Sequence, residues 1–151
     1  MTPRSETEAL SVLERLHLAL NAHDIDAFVQ LFSPDYRSEQ PAHPDRQFGG
    51  REQVRENWSG TFEEVPDFHA VLLRSAVSQD SVWSEWEWSG TRKDTSRLEM
   101  RGVMIMGVQA GQIAWARLYM EFVEHAGPDI REAVRRMRSA SAPSENTRLQ
   151  D

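Results

Sequence analysis

The stretch Leu20-Asn21-Ala22-His23-Asp24-Ile25-Asp26-Ala27-Phe28-Val29-Gln30-Leu31-Phe32 decides how the chain is read. Before it, Leu10, Leu13, Leu16 and Leu20 recur at spacings of three and four, and Val12 and Ala19 widen the stripe. That period predicts an amphipathic helix over residues 6–21. Asn21-Ala22-His23 breaks it. Asp24 stands where an N-cap belongs, and Asp26 suits the first turn of a second helix with Ile25, Phe28, Val29 and Phe32 on its inner face. Ser33-Pro34-Asp35 is expected to end that helix, leaving residues 36–41 extended. Pro41 and Pro44 enclose a loop that holds His43. Gly49-Gly50 then leads into a third helix over about 51–62, with Val54, Trp58 and Phe62 on one face.

Downstream the period changes to that of strands. Phe68–Val77, Val82–Ser89, Arg97–Val108 and Ile113–Val123 are four candidates, and Gln109-Ala110-Gly111-Gln112 is a tight turn between the last two. Long neighbouring strands with short connections favour antiparallel pairing. Pro128 is expected to start a fourth helix, about 128–138, and residues 139–151 read as a disordered tail. The order of elements predicts an α+β fold, a curved antiparallel sheet with helices on one face. It divides into a domain over 1–125, a C-terminal helix over 126–138 and the tail.

Composition narrows the partners. With 24 acidic and 17 basic residues among 151, the net charge is -7. Residues 125–151 hold five arginines against four acids, so the body is more acidic still. Such a body argues against binding nucleic acid or an anionic membrane surface. Cysteine is absent, which removes thiol nucleophiles and thiolate metal sites. No apolar run spans a bilayer and the N-terminus lacks a signal peptide's apolar core, so a cytoplasmic location is expected. None of the five histidines has a recognisable ligand spacing, and no glycine cluster has a phosphate-loop context, so neither metal nor cofactor is expected.

Three stretches carry a family resemblance over residues 8–124. They are Leu20–Phe32, Phe48-Gly49-Gly50-Arg51-Glu52-Gln53-Val54, and Arg101-Gly102-Val103-Met104-Ile105 followed by Gly111-Gln112-Ile113 and Tyr119. Together they resemble the NTF2-like superfamily, especially its SnoaL-like and ketosteroid-isomerase-like branches. The resemblance implies a cone whose sheet wraps three N-terminal helices around a pocket. It also implies polyketide-cyclase-like, isomerase, epoxide-hydrolase or dehydratase chemistry, or an inert binding module, commonly as dimers. It places Leu16 where ketosteroid isomerases carry an oxyanion-donating Tyr, and Gln40-Pro41 where they carry the general-base Asp and its Pro. Gly102 or Val103 falls where they have a second acid. It places Trp86, Trp88 and Leu118 where epoxide-hydrolase-like members have Arg, Asp and Asp. A glutamine cannot act as a general base near neutrality. Classical ketosteroid isomerisation is therefore not expected.

Strand parity sorts the remaining candidates. Trp86 and Trp88 share one side, and the resemblance implies that this side, with Met104 and Leu118, faces the helices. Trp83, Val103, Ile105, Trp115 and Tyr119 face the other way with Glu85, Glu87 and Arg117, which predicts a homodimer through that outer face, or its coverage by the C-terminal helix. Leu16, Trp58, Trp86, Trp88, Met104 and Leu118 are the expected lining of a hydrophobic pocket for a flat apolar molecule; the alternative is plain core. The candidate catalytic groups are His43 as base, with Tyr36, Glu39 or Asp45 nearby, Tyr36 and Gln40 as hydrogen-bond donors, and Glu121 as a second acid–base group. Two functions stay open: cofactor-free isomerisation, cyclisation, dehydration or hydration of a carbonyl compound, or non-catalytic binding of a small molecule or protein by the same fold.

Overall fold

The computed structural model describes residues 3–139. Helices α1 (Arg4–Ala22) and α2 (Ile25–Gln30) open the chain, followed by strand β1 (Phe32–Glu39), a 3-10 turn at Pro44–Arg46 and a two-residue strand β2 (Phe48–Gly49). Helix α3 (Arg51–Glu64) precedes strands β3 (His69–Ser78), β4 (Ser81–Thr91), β5 (Arg97–Gln109) and β6 (Gln112–Phe122), and helix α4 (Ile130–Arg138) comes last. The six strands form one curved, unclosed sheet in the order β2-β1-β6-β5-β4-β3. The predicted α+β architecture, with helices on one sheet face, is the observed one.

Leu13, Leu16 and Leu20 of the α1 stripe are buried, with Val12 and Ala19 beside them, whereas Leu10 is exposed. His23, at φ 54°, ends α1 in the left-handed conformation, and Asp24 Oδ1 caps α2 by accepting the Ala27 N–H at 3.1 Å. Asn21 brackets Ala70 of β3, accepting its N–H at 2.7 Å and donating to its carbonyl at 2.9 Å. His17 Nε2 reaches the same carbonyl at 2.9 Å, and His23 Nε2 reaches the Phe68 carbonyl at 2.8 Å. Two of the five histidines are thus fastenings between the first helix and the edge of the sheet.

Three local expectations are corrected. Ser33-Pro34-Asp35 lies inside β1 rather than ending a helix. The pairing of β1 with β6 shifts between Phe32 and Arg37, so Pro34 falls in an irregular stretch where its missing N–H interrupts no ladder. The β1–β6 pairing is parallel, in a sheet otherwise antiparallel. At the other end, Pro128 precedes α4 instead of starting it, and Asp129 caps the helix by accepting the Glu132 N–H at 3.0 Å. Of the expected tail, residues 140–151 lie outside the described residues.

The predicted faces of β4 to β6 hold. Ser84, Trp86, Trp88, Met104, Met106 and Met120 are buried toward the helices. On the outer face Trp83 and Tyr119 remain exposed, while Glu85 pairs with Arg74 and Glu87 with Arg101. Gly107 is required there because a Cβ would run into the indole of Trp115, which lies across it. Gly102 is required for a different reason: a Cβ would strike the Tyr119 carbonyl of β6, so the glycine lets β5 and β6 approach where the sheet bends. Among the described residues no helix is long and apolar enough to cross a membrane.

Candidate functional site

Between the concave sheet face and the helices lies a cavity of about 280 Å³. Leu16, Leu20, Phe28 and Phe32 close its floor, and Phe68, Trp88, Met104, Met106 and Ala116 form its walls. The less buried lining residues, Gln40, Phe48, Asn57, Trp58, Thr61, Met100 and Leu118, mark the end that opens to solvent. Aromatic rings dominate the lining. Trp58 packs edge to face against Trp88 with centroids 5.4 Å apart, and Tyr36 does so against Phe32 at 4.7 Å.

One wall is polar. Tyr36 and Ser38 alternate along β1, Gln40 continues the spacing just past its end, and all three line the cavity. Burial pushes the Tyr36 phenol up to about 12, against a smaller opposing pull from the Ser38 hydroxyl. The phenol is therefore neutral near pH 7 and available as a donor. Gln40 Oε1 accepts from Arg46 Nη1 at 2.9 Å, which fixes the amide at the rim. Across the mouth, α3 presents Asn57 and Thr61 from successive turns. Among the described residues no carboxylate, histidine, lysine or arginine lines this cavity.

His43 and Glu121 meet outside it. The imidazole Nε2 lies 2.7 Å from Glu121 Oε1, tying the loop after β1 to the C-terminal end of β6. Their side chains are 36 % and 55 % exposed. The expectation had set Tyr36, Glu39 or Asp45 beside His43; Glu121 is its partner. Glu121 follows the outward parity of β6, opposite Arg101, so the pair stands on the outer side of the rim and not on the cavity wall.

Of the expected pocket residues, Leu16, Trp58, Trp88, Met104 and Leu118 line the cavity and Trp86 does not. Trp86 has the expected parity but sits beneath α1, fully buried, edge-on to His17 at 5.2 Å. Its Nε1 donates to Ser84 Oγ at 2.8 Å, and that hydroxyl donates to the Met104 carbonyl at 3.1 Å. Trp88, by contrast, buries its Nε1 without an acceptor among the described residues. Sequence reasoning missed Ser38, Asn57, Thr61 and the phenylalanines of the floor. Extending the period of two from Tyr36 to Gln40 would have found Ser38, and helical spacing from Val54 through Trp58 would have found Asn57 and Thr61.

A family model for the SnoaL-like domain matches residues 13–116. The chain belongs to the SnoaL-like family. Among solved structures this SnoaL-like chain is similar to a putative SnoaL-like polyketide cyclase from Jannaschia sp. CCS1. The identity is 20 %, the match covers 93 % of this chain and 98 % of that one, and the TM-score is 0.69. It is also similar to an LEH-like epoxide hydrolase from M. tuberculosis, at 19 % identity, 78 % and 84 % coverage and TM-score 0.66. A protein of ketosteroid-isomerase-like fold from Catenulispora acidiphila DSM 44928, solved with trimethylamine, matches at 17 % identity, 78 % and 85 % coverage and TM-score 0.62. At these identities the likeness is one of fold. No curated protein matches the chain.

Proposed function

We propose that the SnoaL-like chain binds an uncharged, largely apolar organic compound, oriented by a carbonyl or hydroxyl oxygen that accepts a hydrogen bond from Tyr36. The observation that carries this reading is the single polar line of Tyr36, Ser38 and Gln40 in a wall of aromatic rings and methionines. A flat ligand stacks on Trp58 and Trp88, and the methionines adapt to its edge. The phenol, neutral through the physiological range, resembles the donor that would stabilise an enolate oxygen.

A second reading adds chemistry at the same site: cofactor-free isomerisation, cyclisation, dehydration or hydration. It is favoured by the His43–Glu121 pair on the rim, which would move a proton, with Tyr36 and Gln40 holding the oxygen. The apolar and uncharged character of the cavity lining among the described residues favours binding over this reading. The outer sheet face, with Trp83 on β4 half-exposed and Tyr119 exposed on β6, supports a homodimer as the working assembly, and a cytoplasmic location stays the expectation from the sequence.

The pair α-tetralone and tetralin tests the binding reading, since they differ by one carbonyl. Tyr36→Phe is expected to weaken α-tetralone binding about fivefold, the worth of roughly 1 kcal/mol, and to leave tetralin unchanged in a tryptophan-fluorescence titration. Equal losses for both ligands would sink the role of Tyr36. Exchange of the tetralone α-protons in D2O, followed by NMR, separates the two readings. Acceleration that disappears in His43→Ala identifies proton chemistry, and no acceleration leaves binding alone.

A further inference from the structure

Helix α4 is the one α-helix with no buried residue among the described residues. Ile130, Ala133, Val134 and Met137 fall on one helical stripe, and Ile130 and Met137 are 79 % and 76 % exposed. The opposite flank is basic. Arg135 and Arg136 hold Glu132, whereas Arg131 and Arg138 have no ion-pair partner among the described residues. A helix of nine residues is too short to persist in water by propensity, and its Asp129 cap contributes only about 1 kcal/mol. The stripe needs a surface.

The tether selects one. α4 hangs from β6 by residues 123–129. The Val123 N–H donates to the Glu99 carbonyl at 3.0 Å, and His125 Nε2 lies 2.6 Å from Glu99 Oε2. The linker therefore leaves the sheet beside the Met100–Phe122 register pair. Met100 and Leu118 border the open end of the cavity, and Phe122 stands at the same edge, 63 % exposed. Val123 and His125 are held at Glu99, so residues 126–129 are the free tether; extended they reach about 13–14 Å, and nine helical residues span about 14 Å, more than the roughly 10 Å between packed layers. Near the mouth α3 ends in Glu64, which follows Asn57 and Thr61 at helical spacing and has no side-chain partner among the described residues. The basic flank of α4 thus has an acidic counterpart across the opening.

We propose that α4 supplies the missing wall of the site by folding across the open end. Ile130, Val134 and Met137 come to lie over Trp58, Met100 and Leu118, with Arg131 and Arg138 toward α3. The proposal rests on the cavity being the binding site, and it makes residues of the C-terminal helix determinants of which ligand is enclosed.

The chain contains no cysteine, so engineered pairs report cleanly. Asn57→Cys combined with Met137→Cys, oxidised with diamide at micromolar protein, is expected to close an intramolecular disulfide at the monomer mass. It should close several-fold faster than a control pair of Gln79→Cys, in the turn at the opposite end, with Met137→Cys. Equal rates for the two pairs, or a cross-link found only at dimer mass, overturns the proposal. Independently, the double variant Ile130→Glu, Met137→Glu is expected to speed α-tetralone dissociation at least about threefold in stopped-flow fluorescence. An unchanged rate overturns the lid and leaves the cavity reading standing. If α-tetralone fails to bind the unaltered chain, the cavity reading falls, and the cross-linking result decides the lid by itself.

Discussion

Trp86 and Trp88 sit two positions apart on β4 and face the same way, yet their indole N–H groups meet opposite fates. Trp86 begins a buried chain of hydrogen bonds through Ser84 to the Met104 carbonyl. Trp88 donates to nothing among the described residues. Removing a satisfied buried donor strands its acceptor, whereas removing an unsatisfied one relieves a desolvation cost. Trp86→Phe is therefore expected to lower stability by about 2 kcal/mol in urea unfolding while leaving α-tetralone affinity within about twofold. Trp88→Phe is expected to cost clearly less stability and to weaken the ligand more. The reverse ranking would place the cavity wall at the wrong tryptophan. Tyr36 sets a second expectation. Its folded-state pKa of about 12 lies above the ordinary value near 10, because burial disfavours the phenolate. Below pH 10 both states hold the proton and the contribution is complete. Between about pH 10 and 12 the unfolded state loses its proton first, so stability falls as pH rises. Melting temperatures measured across that window should decline less steeply for Tyr36→Phe than for the unaltered chain.

At the level of elements, what was legible in the sequence is what local periodicity controls. The leucine spacing of α1, the Asp24 cap and the alternation of Trp86 and Trp88 against Glu85 and Glu87 each follow from contacts within one element, and each reappears in the structure. Pro34 was misjudged because its tolerance depends on a partner strand some eighty residues away whose register slips there. No local pattern carries that information. The candidate site divides along the same line. Tyr36, Gln40, Trp58, Trp88, Met104 and Leu118 were placed by period and resemblance and do line the cavity. The meeting of His43 with Glu121 depends on where an irregular loop crosses the end of β6, which the sequence around His43 does not encode.

At the level of the whole molecule, the stripe of α4 and the outer sheet face around Trp83, which is 51 % exposed, present apolar surface to solvent. Solvent-exposed aromatic area of this kind beside paired charges is what an isologous interface uses. Light scattering at micromolar concentration is expected to give twice the chain mass of 17.3 kDa, and Trp83→Glu to reduce it to one chain. A monomer in both cases would leave the outer face without this role.

The parallel seam between β1 and β6 has a kinetic corollary. β3 to β6 are joined by short turns and assemble from nearby segments, whereas β1 must close across about half of the chain to reach β6. Loop-closure entropy makes such a contact a late event on the folding pathway. Tyr36 and Ser38 ride on that late strand and Gln40 follows it, so the polar wall of the cavity is expected to be completed only after the barrier is crossed. A ligand held by it then stabilises the native state without stabilising the transition state. In a chevron experiment, saturating α-tetralone should slow unfolding in proportion to its affinity and leave the refolding limb where it was.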